Sequence, residues 1–215
     1  MRQAEQREAL VVYGRRLLQS GLTRGTGGNL SSFDRRAGII AMTPSGVDYF
    51  DTIPEDIVLM DLSGQILECR EGRRPTSEWE LHLAIYRRRP DLGAIVHTHS
   101  VYATAIACTG QTIRPVHYLA AMGGSAIRCA PYATYGTPEL ASACALTLGE
   151  DYAVLLANHG VICAAGDLPE AFSRAEHIEY VAQLQCISDS LGGARLLDET
   201  AMAAVREKFG TNPYR

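Results

Sequence analysis

The sequence predicts an α/β protein of three layers, helices on either side of a central and mostly antiparallel sheet. Three observations predict it. Short apolar runs alternate with amphipathic helical stretches along the whole chain, a pattern that suits neither an all-helical nor an all-β architecture. Two hairpin-like pairs in the first third, around Arg36-Ala37-Gly38 and Leu62-Ser63-Gly64, make neighbouring strands antiparallel rather than links of a βαβ repeat. The 215 residues, 47% hydrophobic, can bury a full core, and no Pro/Gly/Ser-rich linker or internal repeat divides them, so one domain over 1–215 is expected.

In chain order, Ala4 to Leu18 has helical apolar spacing (Leu10, Val11, Tyr13, Leu17, Leu18) and stops at Gly21. Arg24-Gly25-Thr26-Gly27-Gly28-Asn29-Leu30-Ser31 is too rich in glycine for an element and reads as a loop feeding a strand. A helix is predicted from Ser77, where Ser77 and Glu80 have the spacing of a capping box, through Trp79, Leu83 and Tyr86 to Pro90. The strand Ala94-Ile95-Val96-His97-Thr98-His99 follows directly. Further helices are signalled at Thr137-Pro138-Glu139 and at Asp167-Leu168-Pro169-Glu170, the second long and reaching Leu191 with Phe172, Ile178, Val181 and Leu184 on its apolar face.

Composition narrows the partners. Twenty basic against twenty-four acidic side chains is too balanced for nucleic acid or a membrane surface. The start is polar and mixed in sign and no apolar run reaches spanning length, so a cytoplasmic protein is expected. Six cysteines without Cys-x-x-Cys spacing read as free, mostly buried thiols.

Chemistry concentrates in three histidines. On a strand, His97 and His99 project to the same side, and His159 in Asn158-His159-Gly160 sits at the edge of a second apolar run, Val154 to Ala157. Three imidazoles are a ligand set that a catalytic zinc keeps while leaving room for substrate. Taken alone, a His-x-His pair on a strand is more often a hydrogen-bonded pair in the core. His82, His117 and His177 are assigned to structure. The Arg24–Ser31 loop offers backbone N–H groups, the Thr26 hydroxyl and the Asn29 amide to an anion, and phosphate is the expected guest. Pro75-Thr76-Ser77-Glu78 adds hydroxyls at a helix N-terminus, and Thr43-Pro44-Ser45-Gly46 a third edge. The competing reading makes these turns and caps. Glu78 either ligates a metal and moves protons at an adjacent carbon, or simply complements the helix dipole.

Read together, these phrases resemble the class II aldolase/adducin family from near residue 10 to near residue 190, and within it the sugar-phosphate aldolases. The resemblance is carried by Gly25 to Ser31, Thr43 to Gly46, Ser77-Glu78-Trp79, Arg89-Pro90 leading to Val96-His97-Thr98-His99, Val116-His117-Tyr118 with Gly123-Gly124, Cys129 to Thr137, and Asn158-His159-Gly160. It implies that His97, His99 and His159 hold a Zn2+ ion with Glu78 as fourth ligand and catalytic acid, and that Thr26, Gly28, Asn29, Ser45, Gly46, Thr76 and Ser77 bind a substrate phosphate. It implies a second catalytic group in Tyr118, reaching a neighbouring subunit's site, and hence a homotetramer. The implied reaction cleaves L-fuculose 1-phosphate, or a related deoxy- or methylthio-pentulose 1-phosphate, to dihydroxyacetone phosphate and a short aldehyde. A pentulose-phosphate 4-epimerase and a methylthioribulose-phosphate dehydratase share the fold. The epimerases tend to carry aspartate where Glu78 stands, and non-enzymatic adducin-like heads lack the full metal set. The chain departs from the family pattern at Thr76, usually serine, at Gly27, commonly alanine or serine, and in the tail from Glu207, which leaves Tyr135 and Tyr214 as candidates for shaping the aldehyde pocket.

Overall fold

The computed structural model describes residues 2–211. Its strands are β1 (Asn29–Asp34), β2 (Ile39–Met42), β3 (Val58–Met60), β4 (Ile66–Glu68), β5 (Ala94–Thr98), β6 (Cys129–Ala130), β7 (Ala153–Leu156) and β8 (Gly160–Ala165). Its helices are α1 (Ala4–Gln19), α2 (Trp79–Arg88), α3 (Val101–Cys108), α4 (Pro138–Leu148), α5 (Leu168–Ser190) and α6 (Glu199–Thr211), with 3-10 turns at Pro54–Asp56 and Tyr118–Gly123. The strands form one sheet in the order β4-β3-β2-β1-β5-β8-β7-β6. Every pairing is antiparallel except β6 with β7.

Strand alternation sorts the core into two halves. Leu30, Ala94, Val96, Val161 and Cys163 pack on one side with α1, α3 and α5, while Ile95, Ile162, Ala164 and Val154 pack on the other with α2 and α4. Both faces of the central strands are therefore buried, which is why Ala94–Val96 and Val161–Ala165 read as continuous apolar runs without polar alternation. Leu10 and Leu17 on α1 are wholly buried, each worth about 1.5–3 kcal/mol of burial. No helix of the described residues is long and apolar enough to cross a membrane.

Most local expectations hold. The hairpins at 36–38 and 62–64 join β1 to β2 and β3 to β4. Thr137 and Asp167 cap α4 and α5 by accepting from the Leu140 and Glu170 N–H groups at 3.3 and 2.8 Å. The Ser77/Glu80 capping box does not form. Thr76 to Trp79 make a tight turn closed by the Trp79 N–H on the Thr76 carbonyl (3.3 Å), so α2 starts two residues later, Glu78 is its N-cap residue, and Ser77 is exposed in the turn. Asn29 to Ser31 belong to β1 rather than to the preceding loop. The cysteines are free, but only Cys144 and Cys163 are buried; Cys69, Cys129 and Cys186 are half-buried and Cys108, at the end of α3, is exposed. Strand β8 and helices α3 and α6 were not anticipated; α3 is a short run of small residues without polar alternation.

One buried ionic knot ties the β3–β4 hairpin to the segment leading into Thr76–Glu78. Arg7, 1% exposed, donates to the carbonyls of Pro54 (3.1 Å) and Ile57 (2.6 Å) and to Glu68 (2.6 Å). Asp56, equally buried, accepts from Arg73 at 2.6 Å, Arg70 at 3.0 Å and the Ile53 N–H at 3.2 Å. Burial pushes the Asp56 carboxyl up, but these hydrogen bonds and the Arg73 charge outweigh it and hold the group below the usual carboxylate range. Its contribution to stability is therefore complete above the ordinary carboxylate pKa of about 4 and is lost as pH falls through the lower folded value. Asp56→Asn is expected to cost about 1–3 kcal/mol at neutral pH. Melting temperatures of both proteins, followed from pH 7 down to pH 3, should converge as the acid limb is entered; a gap that stays constant would mean that the carboxylate charge contributes nothing.

Candidate active site and metal centre

Strand β5 lies between β1 and β8, with Asn29 directly opposite His97. Residues opposite one another share a sheet face, so Asn29 and His97 both look toward α2, and His99, one residue past the strand end, keeps that direction. His159 arrives from the other side, in the turn between β7 and β8, where Asn158 takes a left-handed conformation (φ 54°) that asparagine tolerates. The crossing is tight. A Cβ at Gly160 would stand 2.3 Å from the Thr98 carbonyl oxygen and 3.0 Å from the His99 ring, and at Gly28 (φ +69°) it would meet the His97 carbonyl oxygen at 2.6 Å. Only glycine lets these segments close on the histidines.

The three Nε2 atoms and the Glu78 carboxylate converge. His97 Nε2 is 3.0 Å from His99 Nε2, 3.3 Å from His159 Nε2 and 3.2 Å from Glu78 Oε2, while Glu78 Oε1 is 3.4 Å from His159 Nε2. His97 donates through Nδ1 to the Val161 carbonyl at 3.1 Å, which leaves a bare lone pair on Nε2 of the neutral ring, aimed at a carboxylate that also only accepts. Two acceptors so placed require a cation between them. Without a metal a proton takes that place: burial opposes charge on His97, yet the Glu78 carboxylate wins and raises its pKa. His99 and His159 are pushed down to about 4, by burial first and then by the charge on His97. Glu78, which burial pushes up, is held well below the usual range by His97 and His159. Its Oε1 is buried without a hydrogen-bond partner. Four ligand atoms within 4.8 Å of one another, three imidazole nitrogens and a carboxylate oxygen with an orphaned lone pair, fit a divalent metal ion.

A cavity of about 430 Å³ opens beside Glu78, His99 and His159. Its walls are Thr26–Asn29, Pro44–Gly46, Thr76–Ser77, Tyr132, Ala133, Tyr135 and Asn158, so the seven residues matched to phosphate binding all line it. Backbone bonds hold the walls together: Thr76 N–H to the Thr43 carbonyl at 3.1 Å and Ser45 N–H to the Arg74 carbonyl at 3.0 Å. The Tyr49 hydroxyl clamps the glycine loop by donating to the Gly28 carbonyl at 2.8 Å. Among the described residues no lysine or arginine lines the cavity, and the sequence's one lysine, Lys208, lies on α6. An imine with a substrate carbonyl has no amine here to form it.

The structure thus brings together His97, His99, His159, Glu78, Thr26, Gly28, Asn29, Ser45, Gly46, Thr76, Ser77 and Tyr135. Tyr118 is not among them. It is 48% exposed on its 3-10 turn, with its ring centroid 4.5 Å from that of His117, and it does not line the cavity of its own chain. Tyr214 lies outside the described residues. Sequence reasoning passed over Tyr49, Tyr132 and Asn158. Asn158 and Tyr132 sit inside quoted phrases and only their roles were missed, whereas nothing local marks Tyr49, whose hydroxyl reaches the loop from 21 residues away.

Comparison with known proteins agrees with this geometry. Residues 8–186 match the model of the class II aldolase and adducin N-terminal domain. A 5-deoxy-D-ribulose 1-phosphate aldolase of Bacillus thuringiensis is 46% identical over 95% of this chain and 95% of the relative. A 5-methylthioribulose-1-phosphate/5-deoxyribulose-1-phosphate aldolase of Rhodospirillum rubrum is 40% identical over 95% and 91%. The solved structure of an L-fuculose 1-phosphate aldolase superposes with a TM-score of 0.95 at 42% identity, covering 98% of each chain. The chain belongs to the class II aldolase/adducin family, as an aldehyde-lyase of the fuculose- and deoxyribulose-phosphate aldolase type.

Proposed function

We propose that this chain is one catalytic domain that cleaves a 5-deoxypentulose 1-phosphate, with L-fuculose 1-phosphate and 5-methylthioribulose 1-phosphate as related substrates, to dihydroxyacetone phosphate and a short aldehyde. The observation that carries the reading is the continuity of one cavity: the His/Glu cluster borders it, a cradle of hydroxyls and glycine N–H groups lines the rest, and no lysine or arginine of the described residues lies among them. The order of preferred substrates follows the 46% identity to the deoxyribulose-phosphate aldolase.

In this reading Thr26, Gly28, Asn29, Ser45, Gly46, Thr76 and Ser77 hold the phosphate through neutral donors. Held by His97, His99, His159 and Glu78, a Zn2+ ion would supply Lewis acidity at the C2 carbonyl. Glu78, bordering both the cluster and the cavity, delivers a proton to C3 as the C3–C4 bond opens. The proton of the C4 hydroxyl passes through the hydroxyl of the partner subunit's Tyr118, which releases its own hydrogen as it takes this one, and on to the ionised Glu78 that delivers it, so the two products together keep every atom of the substrate. The exposure of Tyr118 outside its own cavity suits that role, and with it a homotetramer in the cytoplasm. Tyr135, with Tyr132 beside it, shapes the aldehyde end.

The test is a coupled assay of dihydroxyacetone phosphate release from 5-deoxyribulose 1-phosphate, L-fuculose 1-phosphate and 5-methylthioribulose 1-phosphate, before and after metal removal. Release that a chelator abolishes and zinc restores is expected. Bound zinc without release from any of the three would sink the aldolase reading in favour of dehydration or epimerisation, which product analysis would identify. Glu78→Gln should lower kcat by about 10²–10⁴. Tyr118→Phe should lower activity while leaving zinc content, read by atomic absorption, at the wild-type value; loss of zinc in this variant would contradict its placement outside the metal cluster.

A further inference from the structure

A line of buried polar side chains runs away from Glu78 between β1 and α2. Glu78, His82 and Tyr86 are spaced by four residues and form one stripe facing Asn29, Ser31 and Phe33, which alternate along β1. The contacts are continuous: Glu78 Oε2 to Asn29 Nδ2 at 2.9 Å, Asn29 Oδ1 to His82 Nε2 at 2.5 Å, His82 Nδ1 to Ser31 Oγ at 2.6 Å, and Ser31 Oγ to the Tyr86 hydroxyl at 2.8 Å. His82 and Ser31 are 0% exposed, Tyr86 1% and Asn29 4%.

Each proton in this line has one possible place. An ionised carboxylate only accepts, so Asn29 must turn its NH₂ to Glu78 and its carbonyl to His82. That carbonyl also only accepts, so the hydrogen of the neutral His82 ring is on Nε2. Nδ1 is then an acceptor and Ser31 donates to it, while the Tyr86 hydroxyl donates to Ser31. Burial, and then the charge on His97, push the His82 pKa down to about 3, which keeps the ring neutral over the working range of pH. Tyr86 is pushed up by burial and stays protonated.

We infer that His82 is a positioning residue: it locks the Asn29 amide so that Nδ2 always donates to Glu78 Oε2, which fixes the carboxylate with Oε2 toward His97 and Oε1 toward His159. Oε1 is the atom left without a hydrogen bond. With the lock removed, the Asn29 amide loses its second anchor and can swing off the carboxylate, which misaims Glu78. The inference rests on Glu78 acting as proposed above.

Two measurements on the full-length, zinc-loaded protein test it. The ¹⁵N spectra of histidine-labelled protein, with His82 assigned by difference against His82→Gln, should show a neutral ring protonated at Nε2; a ring protonated at Nδ1, or a cationic one, would overturn the inference. His82→Leu should lower kcat and weaken zinc binding, read by chelator competition, by about 10–100-fold, with KM little changed. His82→Gln, whose amide NH₂ can replace the Nε2 donor, should restore most of both. Leu and Gln variants that fold and equal the wild type would reduce His82 to a packing residue. If His82→Leu does not fold, Ser31→Ala takes its place, with a lower kcat at unchanged KM expected and wild-type kcat fatal. Should the wild type cleave none of the three sugar phosphates, the aldolase reading fails alone, because the tautomer and the zinc affinity still decide the role of His82.

Discussion

Four electron-pair donors held against one another by folded structure are the constraint on which this molecule turns. Three imidazole nitrogens and a carboxylate lie within 4.8 Å, and the one hydrogen that might separate His97 from Glu78 is spent elsewhere, on the Val161 carbonyl. Such a cluster costs desolvation and repulsion unless a cation occupies its centre. The scaffold bears that cost through rigid supports: the central strands β1, β5 and β8, the glycines that let β8 and the Thr26–Gly28 loop close on the histidine segment, and α2 anchored on the other side. A protein selected for stability alone would fill this place with aliphatic side chains. The arrangement makes sense as a site built to bind a metal and to lend one of its ligands to chemistry.

What the sequence disclosed and what it hid divide along a physical line. His97 and His99 were legible because a strand's period of two is short-range, and α4 and α5 because their caps are local. The lining of the cavity beside the cluster was legible because glycine and hydroxyl clusters announce unusual backbone. The start of α2 was misread by two residues, since a turn closed by backbone competes with a side-chain cap and the pattern does not say which prevails. Strand β8 is buried on both faces, and the exposed side of α3 carries Val101, Ala105 and Cys108 rather than charged residues, so neither has a polar face to set a period. Tyr49 was invisible because its hydroxyl bonds the backbone carbonyls of a distant loop, a contact that exists only after folding.

The seam between β1 and α2 shows how fold and site share one set of residues. Phe33 and Tyr86 continue it with rings 5.2 Å apart, so the line that begins at a reactive carboxylate ends in the apolar core. Each group along it is satisfied in one direction only, and a reversal at any point would leave two donors or two acceptors facing each other in a buried place. Polar groups in such surroundings either lock a single arrangement or destabilise the fold. Here the lock and the catalytic geometry coincide, which is why a helix stripe at spacing four can be structural and functional at once.

The charge arrangement of the cavity follows from the same economy. The three histidines of the cluster would be neutral ligands to a divalent ion, so Glu78 alone would offset its charge, and in the proposed reaction the surplus positive charge would stay at the end where a carbonyl is polarised. A lysine or arginine at the phosphate end would compete for the substrate's negative charge and flatten that gradient. The cradle offers hydroxyls, an amide and glycine N–H groups instead, dipoles whose pull falls off with distance faster than that of a full charge. In the proposed reaction the phosphate would thereby be held without a competing full charge, and the strong electrophile would sit at the metal end.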